Sequence, residues 1–302
     1  MTAPTLKPST VASYKSLLDS RILPRFGGSL LSTIRSSDVQ EFVAELSAEG
    51  LSPSRVRKVA IVLRMIFDAA VRDNLVRVNP VAGVRQPRID RDEAPYFAPG
   101  IVDDIAAAMP SAEYALLIRI LGISGLRFGE AAAITRERVD SMRRRIMVRE
   151  TVTEVGGSLH RTATKTYQAR AVPLPPSLVD QLAAHLAANV APEPDAPVFR
   201  APRGGNLRYG AFYHRRWLPT LGLLHLPSVG LHVLRHSAAA RMIQAGASPK
   251  AVQAILGHRS AAFTLSVYGH LFDADLDDLA ARLDSYCPDV AQTLTVVEGG
   301  AG

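Results

Sequence analysis

Hydrophobic residues at the start of the chain recur at the three- and four-residue spacing of amphipathic helices. A first helix is predicted after the cap residues Ser9 and Thr10. A second is predicted over DVQEFVAEL, opened by a capping box between Ser37 and Gln40. Both segments place apolar side chains on one face, which is typical of a small helical domain.

The longest helical pattern follows Ser52, an N-cap residue, and Pro53, a first-turn residue. Its apolar positions are 59, 62, 63, 66, 67 and 70, and Asn79-Pro80 is predicted to end it. The opposite face carries four basic residues, Arg55, Arg57, Lys58 and Arg64. This basic face is either a solvated surface or a contact surface for a polyanion, and the pattern favours neither.

Beyond this helix the pattern changes character twice. Residues 84–99 are rich in proline and charge and lack periodicity, which predicts a linker. Helical spacing returns near 101–109 and 113–122. Residues 145–174 are rich in valine, isoleucine and threonine around a Gly156-Gly157 turn, which predicts a small antiparallel sheet before helices resume.

These patterns predict two domains. Residues 1–88 form a helical domain, 89–99 a linker, 100–290 a mixed α/β domain with the small sheet, and 273–302 an acidic C-terminal tail. The predicted fold class is therefore mainly α, of the α+β type.

Charge distribution indicates the kind of partner. The 302-residue chain has a formal net charge of +7, which divides into +6 for residues 1–88, +7 for 89–272 and −6 for 273–302. Both predicted domains are thus basic. A polyanionic partner is what this pattern favours.

Composition excludes several classes of protein. No apolar run approaches the roughly 20 residues that span a bilayer, and MTAPTLKPST contains no apolar signal segment. The single cysteine, Cys287, rules out an internal disulfide framework and a cysteine-based zinc site. We expect a cytoplasmic protein with no membrane partner.

The stretch LHVLRH at 231–236 contains candidate functional residues. It places the imidazole of His232 and the guanidinium of Arg235 three residues apart, on one face of a helix. Upstream, Arg127 lies between Gly125 and Gly129, small residues that let a large group approach its side chain. Each feature alone is more often a surface or packing feature.

A second pair of candidate residues lies downstream. Ser248 and Pro249 predict the start of a helix that Gly257 ends, so His258 projects from a helix terminus. Tyr268 follows ten residues later in FTLSVYGHL. A tyrosine there is usually a packing residue, but the combination of all these residues in this order is not explained by packing.

The whole set resembles the tyrosine recombinases, or phage integrases. The matching stretches are SGLRFGE (124–130), TKTYQARAVPLP (164–175), HVLRH (232–236), LGHRS (256–260) and VYGH (267–270). In the first domain, ILPRFGG, SPSRVRKV and the NP before the linker look like the core-binding domain of that family, which has a SAM-like helical fold. The resemblance covers residues 6–290, and the full set is far more specific than any single motif.

The resemblance implies an active site and a reaction. Its catalytic residues would be Arg127, Lys165, His232, Arg235, His258 and Tyr268, with Glu130 at the supporting acidic position; Arg55, Arg57, Lys58 and Arg64 would contact DNA. The implied reaction is cleavage and rejoining of double-stranded DNA recombination sites through a covalent 3′-phosphotyrosine. The family also implies self-association into a tetramer on DNA, with or without an accessory DNA-bending protein.

These residue types suit phosphodiester transfer. Arg127 and Arg235 can grip phosphate oxygens bidentately, and Tyr268 can attack phosphorus. His232 and His258 can hydrogen-bond the phosphate and move protons near neutral pH. In the family, the hairpin lysine, here Lys165, is the general acid for the departing 5′ oxygen. Because no acidic cluster accompanies these residues, we expect no metal and no cofactor.

Two alternatives remain at this point. The segment from Ser248 to Tyr268 also fits a helix-turn-helix of a DNA-binding regulator, although that would not explain Arg127, Lys165 and His232. A type IB topoisomerase-like relaxase shares the chemistry, but it would not use a core-binding domain to hold a specific half-site.

Overall fold

A computed structural model of the protein describes residues 6–89, 94–163, 169–202, 204–258 and 260–272. The chain divides into two compact units, residues 1–92 with 153–160, and residues 93–152 with 161–302. The described residues are mainly helical and carry two small antiparallel sheets, which confirms the predicted fold class. Lys165 and the acidic tail at 273–302 lie outside the described residues.

The described residues of the first unit form four α-helices: α1 (Pro8–Leu17), α2 (Leu23–Phe26), α3 (Ser36–Ala48) and α4 (Pro53–Arg72). A π-helical turn, Leu18–Ile22, joins α1 to α2, and a 3-10 turn, Leu31–Thr33, precedes α3. The core forms where the apolar faces of these helices meet. Phe26 packs edge-on against Phe42, with ring centroids 5.1 Å apart, and Phe67 of α4 is fully buried. The amphipathic spacing of the sequence therefore encodes this unit directly.

The start of α3 differs from the prediction. Its N-cap is Arg35, whose backbone N–H donates to the carboxylate of Asp38 at 2.8 Å. The predicted box between Ser37 and Gln40 is wrong, because Gln40 instead accepts a hydrogen bond from the backbone N–H of Arg85 at 2.9 Å. The side chain of Gln40 thus pairs with the backbone of a distant residue, Arg85, instead of with the N-terminus of its own helix.

Helix α4 begins as predicted and ends early. Ser52 is its N-cap and Pro53 its first residue, but the helix stops at Arg72 rather than at Asn79-Pro80. The cause is Asn74, whose φ of 58° is left-handed. Asparagine is one of the few residues that adopt this conformation readily, and one such residue terminates a helix.

The second unit contains the remaining helices of the described residues. Its helices are α5 (Pro99–Ala107), α6 (Ala112–Ser124), α7 (Phe128–Ala131), α8 (Pro176–Asn189), α9 (Tyr209–Phe212), α10 (Leu218–Leu223), α11 (His232–Gln244), α12 (Pro249–Leu256) and α13 (Ala261–Tyr268). A π-helical turn, Tyr213–Trp217, joins α9 to α10. The helices predicted near 101–109 and 113–122 correspond to α5 and α6. No helix among the described residues is long and apolar enough to cross a membrane.

The strand segment is confirmed, with two sheets in place of one. Strands β1 (Val139–Asp140), β2 (Arg145–Val148) and β5 (Arg170–Pro173) form an antiparallel sheet in the order β1-β2-β5, whereas β3 (Glu150–Val155) pairs with β4 (Ser158–Ala163). Gly156 and Gly157 turn the β3–β4 hairpin with φ values of 55° and 79°. Two consecutive positive φ values are the geometry that a two-residue hairpin turn needs.

Close packing at the end of α6 brings three helices together. Gly125 terminates α6 in the left-handed conformation, with φ 67°. A Cβ at this position would lie 2.3 Å from a methyl carbon of Leu256 and 3.4 Å from Cβ of Ala238. Only glycine therefore lets the end of α6 meet α11 and α12, and this junction is where the candidate site forms.

Candidate active site

Arg235 lies at the centre of the site. It extends from α11, is 2% exposed, and donates through Nη1 to the carbonyl of Gly125 at 2.7 Å and through Nη2 to that of Leu256 at 2.6 Å. These carbonyls belong to the C-terminal ends of α6 and α12, where the helix dipoles favour a cation. A guanidinium has five N–H groups, so three remain for another acceptor.

Arg127 is held at the start of α7. Its backbone N–H donates to Glu130 Oε2 at 3.0 Å, and its Nη1 donates to Oε1 at 2.9 Å. The Arg127 side chain is one-third exposed, whereas that of Glu130 is 2% exposed. Glu130 thus holds both the backbone and the side chain of Arg127 and leaves part of the guanidinium accessible to solvent.

Sequence reasoning missed Arg170, which completes this arrangement. Its Nη1 and Nη2 donate to the two Glu130 oxygens at 3.1 and 2.6 Å, and its Nε donates to the carbonyl of Ile255 at 2.8 Å. Burial alone would raise the pKa of Glu130, but the hydrogen bonds and charge of Arg170, together with Arg127, lower it overall. The residue stood inside the matched stretch TKTYQARAVPLP, but its strand position gave no sign of a partner forty residues away.

His232 and His258 lie beside these cations. His232 is the first residue of α11, and His258 follows the left-handed Gly257 that ends α12, as predicted. His258 Nδ1 is 2.9 Å from the hydroxyl of the buried Thr264. This contact holds the His258 ring in place, and the charges of Arg235 and Arg127 act on both histidines.

The pKa values of both histidines are lowered to about 4. Desolvation is the largest cause for each, although His232 keeps part of its ring exposed. The positive charges of Arg235 and Arg127 add to the effect for both. Each ring is therefore neutral at pH 7 when the site is empty of anions.

Tyr268 closes the site from α13. It is 3% exposed, and its ring lies nearly parallel to that of His258, with centroids 6.4 Å apart. Its hydroxyl oxygen is 2.7 Å from Nδ1 of His236. Burial raises the pKa of Tyr268 to about 12. His236 was visible in HVLRH but had not been singled out, because the sequence could not show which side chain it would face.

The charge of the site is positive. Among the described residues of the site, Arg127, Arg170 and Arg235 contribute three guanidinium groups against the carboxylate of Glu130, a net charge of +2 with neutral histidines. Burial and the charge of Arg127 lower the pKa of Arg235 to about 9, and the group still remains protonated at neutral pH. Such a site is complementary to an anion of the size and charge of a phosphodiester.

The four basic residues predicted to contact DNA lie on α4 in the first unit. Arg55, Lys58 and Arg64 are exposed, while Arg57 is half-buried and donates through Nε to the carbonyl of Pro87 at 2.9 Å. Three of the four side chains are thus positioned for an external partner, and one also anchors the following segment.

Comparisons with known proteins agree with this fold. Residues 98–275 match the phage integrase family, and residues 1–47 match its N-terminal SAM-like domain. The chain is 27% identical to tyrosine recombinase XerC of Shewanella amazonensis over 292 residues, covering 94% of this chain and 91% of the relative. It is 24% identical to the ICEBs1 integrase of Bacillus subtilis, covering 92% and 78%.

Solved structures share the fold. The Tn1549 transposon integrase in complex with a circular intermediate DNA superposes with a TM-score of 0.78 at 20% identity, covering 94% of this chain and 95% of that one. A lambda integrase tetramer bound to a Holliday junction gives a TM-score of 0.66 at 17% identity, covering 87% and 73%.

Fold and sequence together define a tyrosine recombinase. More narrowly, the chain belongs to the phage integrase family, whose pattern spans more than half of its length. This membership favours a site-specific recombinase over a helix-turn-helix regulator or a type IB relaxase.

Proposed function

We propose that this recombinase cleaves and rejoins DNA strands at specific sites through a covalent 3′-phosphotyrosine formed by Tyr268. The observation that carries the proposal is the grouping of Arg127, His232, Arg235 and His258 from three separate segments. Arg235 bonds the helix ends that precede Arg127 and His258, and the charges of both arginines act on His232 and His258. The His258 ring lies nearly parallel to that of Tyr268. A phosphotyrosine conserves the energy of the phosphodiester for the rejoining step, so no further energy source is needed.

The two arginines would neutralise the scissile phosphate. Arg235 has three unused N–H groups beside its two carbonyl partners, and Arg127 is one-third exposed. Each can donate to non-bridging oxygens, whose charge grows as phosphorus becomes five-coordinate. Glu130 would act through Arg127 by holding its backbone and side chain in place.

The histidines and the lysine would handle hydrogen bonds and protons. His232 and His258 are neutral at pH 7, so each ring offers one N–H donor to a phosphate oxygen. Lys165, by resemblance to the family, would protonate the leaving 5′ oxygen. None of these roles needs a metal or a cofactor, and we propose that the reaction uses neither.

The domain assignment follows the same reasoning. Residues 1–88 would be the core-binding domain, 89–99 the linker, 100–290 the catalytic domain and 273–302 an acidic tail. Arg55, Lys58 and Arg64, exposed on α4, would contact DNA phosphates, and Arg57 can do so with the donors that Pro87 does not occupy.

Exchange between two duplexes cuts four strands, which calls for four active sites. We therefore propose that four copies assemble on a pair of double-stranded recombination sites in the cytoplasm. The lambda integrase tetramer on a Holliday junction supports this by analogy of fold. An accessory DNA-bending protein would assist where the two sites are not held together by the recombinase alone.

The experiment starts from the native DNA neighbourhood of the coding sequence, whose flanking repeats supply the substrate. A duplex carrying such a repeat, nicked next to the cleavage point, traps the covalent complex. Wild-type protein should form a band that survives a denaturing gel in the presence of a chelator, and Tyr268→Phe should bind the duplex without forming it. Tyr96→Phe, at an exposed tyrosine, is the matched control. An adduct in the Tyr268→Phe variant would move the nucleophile elsewhere, for instance to Tyr286.

A further inference from the structure

The hydroxyl of Tyr268 has a partner that none of the roles above uses. His236, on α11 directly after Arg235, places Nδ1 2.7 Å from Tyr268 Oη, with ring centroids 5.7 Å apart. We infer that His236 is the general base of the cleavage step and takes the phenolic proton from Tyr268. The inference rests on the proposed function, because it concerns the nucleophile named there.

The nucleophile needs such a base. Burial raises the pKa of Tyr268 to about 12, so the hydroxyl stays protonated near neutral pH. A protonated phenol is a weak nucleophile, and enzymes activate weak nucleophiles with an adjacent proton acceptor. The base must lie within hydrogen-bond distance of the proton that it removes, a requirement that the 2.7 Å separation meets.

Other histidines are less well placed. Nδ1 of His258 is paired with the Thr264 hydroxyl at 2.9 Å, and its ring lies over Tyr268 at a centroid distance of 6.4 Å. The ring of His232 packs edge-on against the ring of His236, with the two ring centroids 4.9 Å apart. Within the part of the chain that the structure describes, His236 is the side chain recorded in hydrogen-bond contact with Tyr268 Oη.

The surroundings keep His236 neutral. Burial and the charge of Arg235 lower its pKa below the ordinary value, so it can accept a proton at pH 7. The charged and titratable groups around it are His232 and Arg235 on its own helix and Tyr268 on α13, with His258 across the tyrosine ring. Burial and the charge of Arg235 disfavour a lasting imidazolium, so the proton is readily returned when the strand is rejoined.

The step balances without another reactant. The O–H bond of Tyr268 breaks and its proton moves to Nδ1 of His236, while the phenolic oxygen forms the new bond to phosphorus. The bond from phosphorus to the 5′ oxygen breaks, and that oxygen keeps the electron pair and takes a proton from the general acid, the role proposed for Lys165. Rejoining reverses each transfer, and His236 then acts as the acid toward the departing tyrosine.

The contact itself can be tested without DNA. Nitrogen NMR of the full chain with labelled histidine should show that Tyr268→Phe shifts the Nδ1 resonance and the titration of His236. The resonance of the exposed His225 should stay unchanged. An unaltered His236 signal would mean that the hydrogen bond does not exist in solution and would overturn the inference, whatever the enzyme does to DNA.

The catalytic role is tested with the nicked duplex. His236→Asn keeps an oxygen where Nδ1 stood, so it can still accept the hydrogen bond but cannot hold the proton. We expect adduct formation to slow by about 10²-fold or more. In the wild type the rate should fall at low pH as His236 becomes protonated, and this fall should be absent from the pH–rate profile of His236→Asn. Imidazole in the buffer should restore part of the rate of His236→Ala, and His225→Asn should match the wild type.

The outcomes separate the two proposals. Cleavage by His236→Asn at the wild-type rate, or no response of His236→Ala to imidazole, would leave His236 as a positioning or packing residue and overturn the base role alone. A wild-type protein that forms no adduct at Tyr268 would overturn the proposed function and the base role with it.

Discussion

Arg170 and Glu130 form a bidentate ion pair in the site, with Nη2–Oε2 at 2.6 Å and Nη1–Oε1 at 3.1 Å. The side chains are 10% and 2% exposed. The same carboxylate holds the backbone and side chain of Arg127. Arg170 therefore positions Glu130, and Glu130 in turn positions an arginine that faces the substrate.

Removal of Arg170 should destabilise the protein strongly. Arg170→Ala leaves a buried carboxylate with one partner fewer, and breaking a buried pair costs about 3 kcal/mol or more in the free energy of unfolding. The matched control is Arg161→Ala, whose pair with Glu150 is partly exposed and should cost less than about 1 kcal/mol. Urea unfolding measures both. Equal losses for the two variants would contradict the importance of this ion pair.

Glu130 should make stability depend on pH in the acid range. Its folded-state pKa is lowered, so the unfolded chain binds the proton first as pH falls. The stabilisation is fully present above the unfolded pKa, near 4.5, and is lost as pH falls through the lower folded pKa. Unfolding free energies measured from pH 6 to pH 3 should therefore decline less steeply for Glu130→Gln than for the wild type. Glu137→Gln, at an exposed carboxylate, should retain the wild-type slope.

Binding of DNA should raise the pKa values of His232 and His258. In the free protein both are about 4, first because the rings are desolvated and then because Arg235 and Arg127 repel a further positive charge. A phosphate neutralises that field and stabilises the imidazolium, so both titrations should move upward. Histidine NMR measures this, with Arg127→Ala expected to raise both pKa values even without DNA. Unchanged titrations on binding would place the phosphate elsewhere.

Loss of Arg127 should affect the rate far more than binding. Arg127→Ala removes one donor to the developing charge, which by analogy with an oxyanion donor costs about 10²–10³ in cleavage rate. Affinity should change little because many phosphate contacts share it. Single-turnover cleavage and a gel-shift titration separate the two quantities. A loss in binding as large as the loss in rate would recast Arg127 as a DNA anchor.

Local signals were the predictable part of the fold. Ser52-Pro53 and Ser248-Pro249 start α4 and α12 where the sequence placed them, and Gly257 ends α12, because capping depends on a few adjacent residues. The end of α4 was mispredicted because Asn74 was overlooked as a left-handed stop.

Tertiary contacts were the part that the sequence could not reveal. The motif residues of the site could be recognised as a set, but the partners Arg170 and His236 could not. Their roles depend on which segments meet when α6, α11, α12 and β5 pack together. Arg235 illustrates the point, since its buried partners are backbone carbonyls, which carry no signature in the sequence.

The last prediction concerns Lys165, which lies outside the described residues and stands on the family resemblance. If it protonates the leaving 5′ oxygen, its importance should depend on how much that leaving group needs a proton. An alkoxide leaves poorly at neutral pH, whereas a thiolate, the conjugate base of a much stronger acid, leaves without help. Lys165→Ala should therefore cripple cleavage of ordinary DNA and be largely rescued when sulfur replaces the bridging 5′ oxygen. Arg235→Ala should not be rescued, because its targets, the non-bridging oxygens, are unchanged. If the sulfur substrate helps Lys165→Ala no more than the wild type, the acid is another group, such as a histidine or Lys250.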